Sequence, residues 1–227
     1  MNTAMLTATL APAPQSIIAD IPRRSIELAG MPTAATSTLV TSSYAPLAPV
    51  TLPDDVRRIV LTGFMGAGKT TVGRQLAAEL GWEFLDLDTL IEQRTGKTVP
   101  AIFAEDGEAA FRRIESITLA IALGRKNVVL ALGGGTPELI TNRLLLEQTP
   151  GTLTVYLHAP LDVLTARCLL QEGGAERPVL TNPEEAARRF ANRLPHYKRL
   201  AGVTVDTTSS NAEETVVLLC ERVKASK

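Results

Sequence analysis

A short apolar run, a glycine-rich turn and an amphipathic stretch follow one another between Arg58 and Leu80, and the turn reads Gly63-Phe64-Met65-Gly66-Ala67-Gly68-Lys69-Thr70. Few patterns restrict a chain as narrowly as G-x-x-x-x-G-K-T set between a strand and a helix, because its positions answer to phosphate groups. Glycines at 63, 66 and 68 let the backbone turn back on itself and aim successive N–H groups inward at phosphate oxygens. A helix opening near Lys69 adds the positive end of its dipole. The Lys69 ammonium is a point charge for the β- and γ-phosphates of ATP, and the Thr70 hydroxyl suits Mg²⁺. The nucleotide-binding stretch is therefore Gly66, Ala67, Gly68, Lys69, Thr70 and Thr71. The bare pattern arises by accident in about one chain of this length in a hundred, and the flanking strand and helix lower that further. Asn-Lys-x-Asp, which reads guanine in GTP switches, occurs nowhere in the sequence.

From Arg57 onward the chain alternates short apolar runs with helical periods. Strands are expected at Arg58–Thr62, Glu83–Leu87, Val128–Leu132, Leu153–Leu157 and Val203–Asp206. Helices are expected at Lys69–Leu80, Pro100–Gly124 with a break near Gly107, Pro137–Gln148, Leu161–Leu170 and Pro183–Leu200. Asn211 and Glu214 form a capping pair that opens a last helix, reaching about Val223. This order implies an α/β fold of three layers, a central five-stranded parallel sheet with helices on both faces. This domain would occupy residues 56–227.

Residues 1–55 differ in kind. Seven of the fourteen prolines precede Val56, and residues 1–50 carry only four charged side chains, with Ala, Thr, Ser and Pro filling most of the rest. Such a segment buries too little apolar surface to offset its ordering entropy, so it reads as a disordered tail. The alternative is a transit peptide directing the protein to an organelle, although the Arg-rich amphipathic pattern is missing. With a formal net charge of −1 and 4% aromatic residues, the chain lacks the field and the stacking surfaces that gather nucleic acid. No stretch approaches the ~20 apolar residues of a membrane span. Cys168 and Cys220 have no metal-like spacing and read as buried thiols of a reducing compartment, consistent with a cytoplasmic monomer.

Four segments point toward a substrate. Asp86 and Asp88 alternate along the end of the second strand and would share a face at its carboxyl end, suited to Mg²⁺ and an attacking hydroxyl. The bland alternative is a solvated strand end with a helix N-cap at Asp88. Arg112, Arg113 and Glu115 lie on a helix, where a solvated face is the ordinary explanation. Gly133, Gly134 and Gly135 directly follow a strand, and three glycines there let a ligand approach the main chain. The loop 171–182, with Gly173, Gly174, Arg177 and Pro178, has the character of a lid carrying a cation over the phosphates. His158 and His196 read as structural.

Taken together, Gly-Phe-Met-Gly-Ala-Gly-Lys-Thr, Asp-Leu-Asp, Phe-Arg-x-x-Glu, Leu-Gly-Gly-Gly, Glu-Arg-Pro-Val-Leu and Arg-x-x-x-Tyr resemble the shikimate kinases in order and spacing over residues 57–224. The resemblance implies phosphoryl transfer from MgATP to the 3-hydroxyl of shikimate. It implies Lys69 and the loop amides on ATP, Thr70 on Mg²⁺ with Asp86 contributing through water, and Asp88 on the substrate hydroxyls as orienter or base. It further implies Arg112, Arg193 and the glycines Gly133, Gly134 and Gly135 around shikimate, with the two arginines on its carboxylate. Arg177 would close onto the transferring phosphate, and Arg167 would lie on the adenine side. Val179 stands where the family usually has Leu, and the tail has no counterpart in the compact bacterial form. Two other readings stay open: a kinase of another small metabolite such as gluconate or a nucleoside monophosphate, and a nucleotide-binding regulatory module without turnover.

Overall fold

The computed structural model describes residues 52–170 and 182–225. Most of the expected tail and of the expected lid, including Arg177, lies outside the described residues. Five parallel strands form one sheet: β1 Arg58–Thr62, β2 Glu83–Asp86, β3 Val128–Ala131, β4 Thr152–His158 and β5 Val203–Asp206, in the order β2-β3-β1-β4-β5. Every residue of β1 is buried, as a strand covered on both faces requires. Its side chains divide by alternation. Ile59 and Leu61 join Val129, Val155 and Leu157 in one core, and Val60 joins Leu85, Val128 and Leu130 in the other. The first core is closed by α1 Lys69–Leu80 and α8 Ala212–Ala225 through Val72, Leu76, Val216 and Leu219. The second is closed by α2 Leu87–Thr95, α3 Val99–Glu105, α4 Gly107–Leu123 and α5 Ile140–Gln148 through Ile91, Ile102, Leu119 and Leu146.

Local chemistry sets the boundaries. Gly81 ends α1 in the left-handed conformation, and Thr98 caps α3 by accepting from the Ala101 amide. Gly107 at φ 80° turns the chain between α3 and α4, which is the break expected there. Asn182 caps α7 Pro183–Leu200, and Asn211 and Glu214 exchange reciprocal bonds of 2.9 and 3.0 Å at the start of α8. The remaining helix, α6 Leu161–Leu170, follows β4.

Two expectations need correction. The second strand stops at Asp86 rather than Leu87, because the Asp86 carboxylate accepts from the Asp88 and Thr89 amides and so starts α2. Asp86 and Asp88 are therefore a cap and a first-turn residue, not alternate positions on a strand. The segment after β3 opens with a 3-10 turn at Thr136–Glu138, and α5 begins only at Ile140.

Strand β1 returns from its buried end to a buried cation. Arg58, 5% exposed, donates Nε to the Arg125 carbonyl at 3.1 Å, and Nη1 to the Pro150 carbonyl at 2.6 Å and Thr152 Oγ1 at 3.0 Å. These bonds tie the amino ends of β1, β3 and β4 together, at the opposite edge from the strand exits that carry the glycine loops. Removing the charged donor leaves these part-buried carbonyls without their partner. Arg58→Met should accordingly lower the unfolding free energy by about 2–4 kcal/mol in urea titration, with the slope unchanged. A loss under about 1 kcal/mol would show that the carbonyls find other partners.

Candidate active site

The carboxyl ends of β1, β2 and β3 lie side by side, β3 pairing with both of the others. Each releases one of the segments singled out by sequence. After β1 comes the phosphate loop, and Gly66 (φ 77°) rests so closely on α6 that a Cβ there would lie 2.3 Å from the Leu164 carbonyl oxygen and 2.9 Å from Cys168 Sγ. Lys69, at the first position of α1, donates Nζ to the Gly63 and Phe64 carbonyls at 2.9 and 3.0 Å, which draws its ammonium over the loop. The first turn of α1 holds no acidic residue to compete with a phosphate for the free amides.

After β2, one carboxylate does two jobs. Asp86 Oδ1 caps α2, while Oδ2 accepts from Thr70 Oγ1 at 2.9 Å. Two oxygen donors thus meet at the mouth of the phosphate loop. Such a pair fits Mg²⁺, which keeps most of its waters and takes one or two protein oxygens beside substrate phosphates. Among the described residues no cluster of three or more His, Cys, Asp or Glu could hold a metal ion.

Asp88 points the other way, toward the exit of β3. Burial first, and then the nearby charges of Asp86, Glu115 and Glu92, push its carboxyl up from 3.8 to about 6, with Lys69 pulling against them. It is thus ionised at neutral pH yet more basic than a free aspartate, which suits proton uptake from a hydroxyl.

The glycine run draws the remaining residues to one place. A Cβ on Gly133 would lie 3.0 Å from Asp88 Oδ1, one on Gly134 3.5 Å from Arg193 Nη1, and one on Gly135 2.8 Å from Arg112 Nη2. Three successive positions without side chains therefore border the aspartate and both arginines in turn. The arginine pair of α4 divides: Arg113 is exposed, whereas Arg112 turns inward and donates Nη1 to Glu115 Oε2 at 2.9 Å. Arg193, on α7, is buried, with its guanidinium 5.8 Å from the Phe64 ring centroid, so that it packs on the phosphate loop as well. Arg167 stands apart from this group, on α6, bonded to Thr207 and Thr208 just beyond β5.

Three contributors went unassigned in the sequence reading. Glu115, 1% exposed, accepts from Arg112 and, at 2.7 Å, from Thr136 Oγ1, which fixes the helix to the glycine segment. Tyr197, fully buried, donates to the Gly134 carbonyl at 2.6 Å. Glu138 Oε2 lies 3.1 Å from Arg193 Nη2 and 3.7 Å from Arg112 Nη2. The i, i+3 spacing of Arg112 and Glu115 was visible beforehand. Nothing local marked Glu138, which reaches its partners only through the turn after the glycines.

The chain is similar to known proteins over most of its described length. The family model described as shikimate kinase matches residues 65–224. The shikimate kinase of Acinetobacter baumannii strain AYE is 39% identical over 180 residues, covering 78% of this chain and 95% of that protein. The solved structure of the Acinetobacter baumannii shikimate kinase in complex with shikimate superposes with a TM-score of 0.67 at 36% identity, covering 76% of this chain and 95% of that one. A gluconokinase from Sinorhizobium meliloti shares the fold at a TM-score of 0.53 and 21% identity, covering 74% of this chain and 92% of its own.

The raised Asp88 carboxyl has a consequence for stability. Between pH 4 and 6 the folded state holds a proton that the unfolded chain releases, so this contribution is complete below about pH 4 and is lost as pH rises through about 6. Asp88→Asn removes the cost of ionisation. In nucleotide- and metal-free protein it should raise the unfolding free energy at pH 7.5 by roughly 1–2 kcal/mol, less than the full shift implies because the site is partly open to solvent. The gain should shrink toward zero at pH 4. A difference between variant and wild type that does not change with pH would contradict the assignment.

Proposed function

The chain belongs to the shikimate kinase family, and from that membership we propose that it transfers the γ-phosphoryl group of ATP to the 3-hydroxyl of shikimate, a step in the biosynthesis of chorismate and the aromatic amino acids. The observation that carries the residue assignment is the bordering of Gly133, Gly134 and Gly135 by Asp88, Arg193 and Arg112, one strand away from the phosphate loop. Shikimate is an anionic triol. A site for it needs planar cations for the carboxylate and acceptors for hydroxyls, and this cluster contains both.

In this reading Arg112 and Arg193 bind the carboxylate and thereby aim the far side of the ring at Asp88. The absence of side chains at Gly133, Gly134 and Gly135 lets the ring approach the backbone. The shikimate oxygen attacks the γ-phosphorus, the bond to the β–γ bridging oxygen breaks, and ADP leaves with that electron pair. The hydroxyl proton passes to the Asp88 carboxylate. Lys69 and the amides of Gly66 through Thr71 hold the polyphosphate and offset the charge that spreads over its oxygens. Thr70 and Asp86 are the residues to hold Mg²⁺, which supplies further neutralisation of the β- and γ-phosphates when bound. Arg177 closes onto the transferring phosphate and Arg167 serves the adenine side. Because the chemistry is mostly alignment and charge, no side chain needs a covalent role.

The kinase domain is assigned to residues 56–227, with residues 1–55 as an appendage. The enzyme acts on small molecules, as a cytoplasmic monomer without nucleic-acid or membrane partners. A net charge of −1 supports the absence of a nucleic-acid field. Among the described residues no helix is long and apolar enough to cross a membrane.

ADP release measured with shikimate, with gluconate and without acceptor tests the reading directly: only shikimate should give rapid turnover. Lys69→Met keeps much of the aliphatic stem and should fold, with kcat down by at least ~10²-fold, the scale of losing one electrostatic stabiliser. Near-normal turnover by that variant would remove the phosphate loop from the mechanism. Arg112→Lys and Arg193→Lys lose the bidentate fork and should each raise KM for shikimate ~10-fold or more, with KM for ATP nearly unchanged. Equal weakening of both substrates would point to a collapsed site instead of a lost carboxylate contact.

A further inference from the structure

Glu138 places a carboxylate where the two arginines converge, and three observations bear on what it does there. Arg112 already has an anion of its own in Glu115, which is almost wholly buried and bonded at 2.9 Å, so Glu138 at 3.7 Å is not needed to neutralise it. Arg193 is the opposite case. Its side chain is 9% exposed, Glu138 is its ion-pair partner among the described residues, and its Nε is buried without a hydrogen bond there. Finally, the Glu138 main chain is locked while its side chain is not. Arg143 Nη1 donates to the Pro137 and Glu138 carbonyls at 2.6 and 2.8 Å, the Glu138 amide donates to Gly135 at 2.9 Å, and Asn142 holds the Thr136 carbonyl at 2.9 Å. The side chain itself is 35% exposed, so solvent already reaches it.

We propose that Glu138 is a resident carboxylate that holds the anion subsite until the substrate's own carboxylate displaces it, and so lowers the apparent affinity of every acid that binds there. This rests on the assignment of Arg112 and Arg193 to the substrate carboxylate. The resident charge shields a buried cation that would otherwise stand uncompensated. It also competes with every incoming acid. A ligand that offers a carboxylate alone exchanges one ion pair for another and gains little. A ligand that also brings hydroxyls to Asp88 and the glycine backbone gains those contacts on top. The resident charge weakens both by the same factor, which leaves an acid with a carboxylate alone too weak to block the site. The cost is a lower apparent affinity, reduced by the fraction of time the subsite is clear.

Glu138→Gln keeps the shape and removes the charge. KM for shikimate should fall about five- to tenfold, as expected if the carboxylate holds the arginines for roughly 80–90% of the time. Benzoate, a carboxylate without the hydroxyls, should become a stronger competitive inhibitor by a similar factor. The neutral amide of shikimate should improve much less, and Glu138→Ser should repeat the direction of all three changes. Without ligand, the melting temperature of Glu138→Gln should drop, and its rise on adding shikimate should exceed that of the wild type. A KM for shikimate that stays level or rises, or a gain shared equally by acid and amide, overturns the proposal. Arg193→Lys in the same assays separates the two layers of argument. If it raises KM for shikimate while Glu138→Gln fails to lower it, only the resident carboxylate falls. If it leaves KM unchanged, the carboxylate clamp and the proposal built on it both fall.

Discussion

The site depends on a shortage of side chains at the exit of the strand next to the centre. Gly133, Gly134 and Gly135 leave a strip of bare backbone, and Asp88, Arg193, Tyr197, Arg112 and Glu138 come to within about contact distance of where side chains would stand. A methyl group at Gly135 would sit 2.8 Å from both Arg112 Nη2 and Glu138 Oε2. The residues named on the substrate come from α2, α4 and α7, elements far apart in sequence. What gathers them is the absence of competing volume at one strand end, together with the parallel topology that brings every strand exit to the same edge.

Electrostatics then decides which charges the gathered site can tolerate. Four ionisable residues, Arg112, Arg193, Glu115 and Glu138, occupy a small region, and each is paired. Unpaired, any of the buried ones would cost several kcal/mol, and the pairing suppresses that cost without adding much net stability. Asp88 is the exception, with burial and then three carboxylates raising its proton affinity and only Lys69 lowering it. The protein tolerates an aspartate that is unfavourable to fold because that same tension makes it useful to a hydroxyl.

Much of this was legible in the sequence, and the reasons differ by element. The strand β1 and the helix α1 followed from a motif that works only in one backbone setting, and their bounds agree with the structure at both ends. The cap at Asn211 uses side-chain chemistry that reads locally. Helix α2 was missed because its start is signalled by Asp86, which also looks like the end of an alternating strand, and the cap outcompeted the strand. The pairing of Arg112 with Glu115 lay within one helical turn and was there to be seen. Glu138 was not, since its meeting with Arg193 spans 55 residues and depends on how a 3-10 turn is pinned by Arg143. Resemblance named the arginines, and only the geometry showed that an acid already stands between them.

The contact beneath the phosphate loop has a mechanical meaning. Gly66 is bedded directly on the Leu164 carbonyl and the Cys168 sulfur, with no side chain of its own to act as a cushion. Loop and helix α6 consequently share one footing. Gly66 holds φ at 77°, and a Cβ there would lie 2.3 Å from the Leu164 carbonyl oxygen. Even a single methyl group at that position would therefore wedge the phosphate loop and the helix beneath it apart.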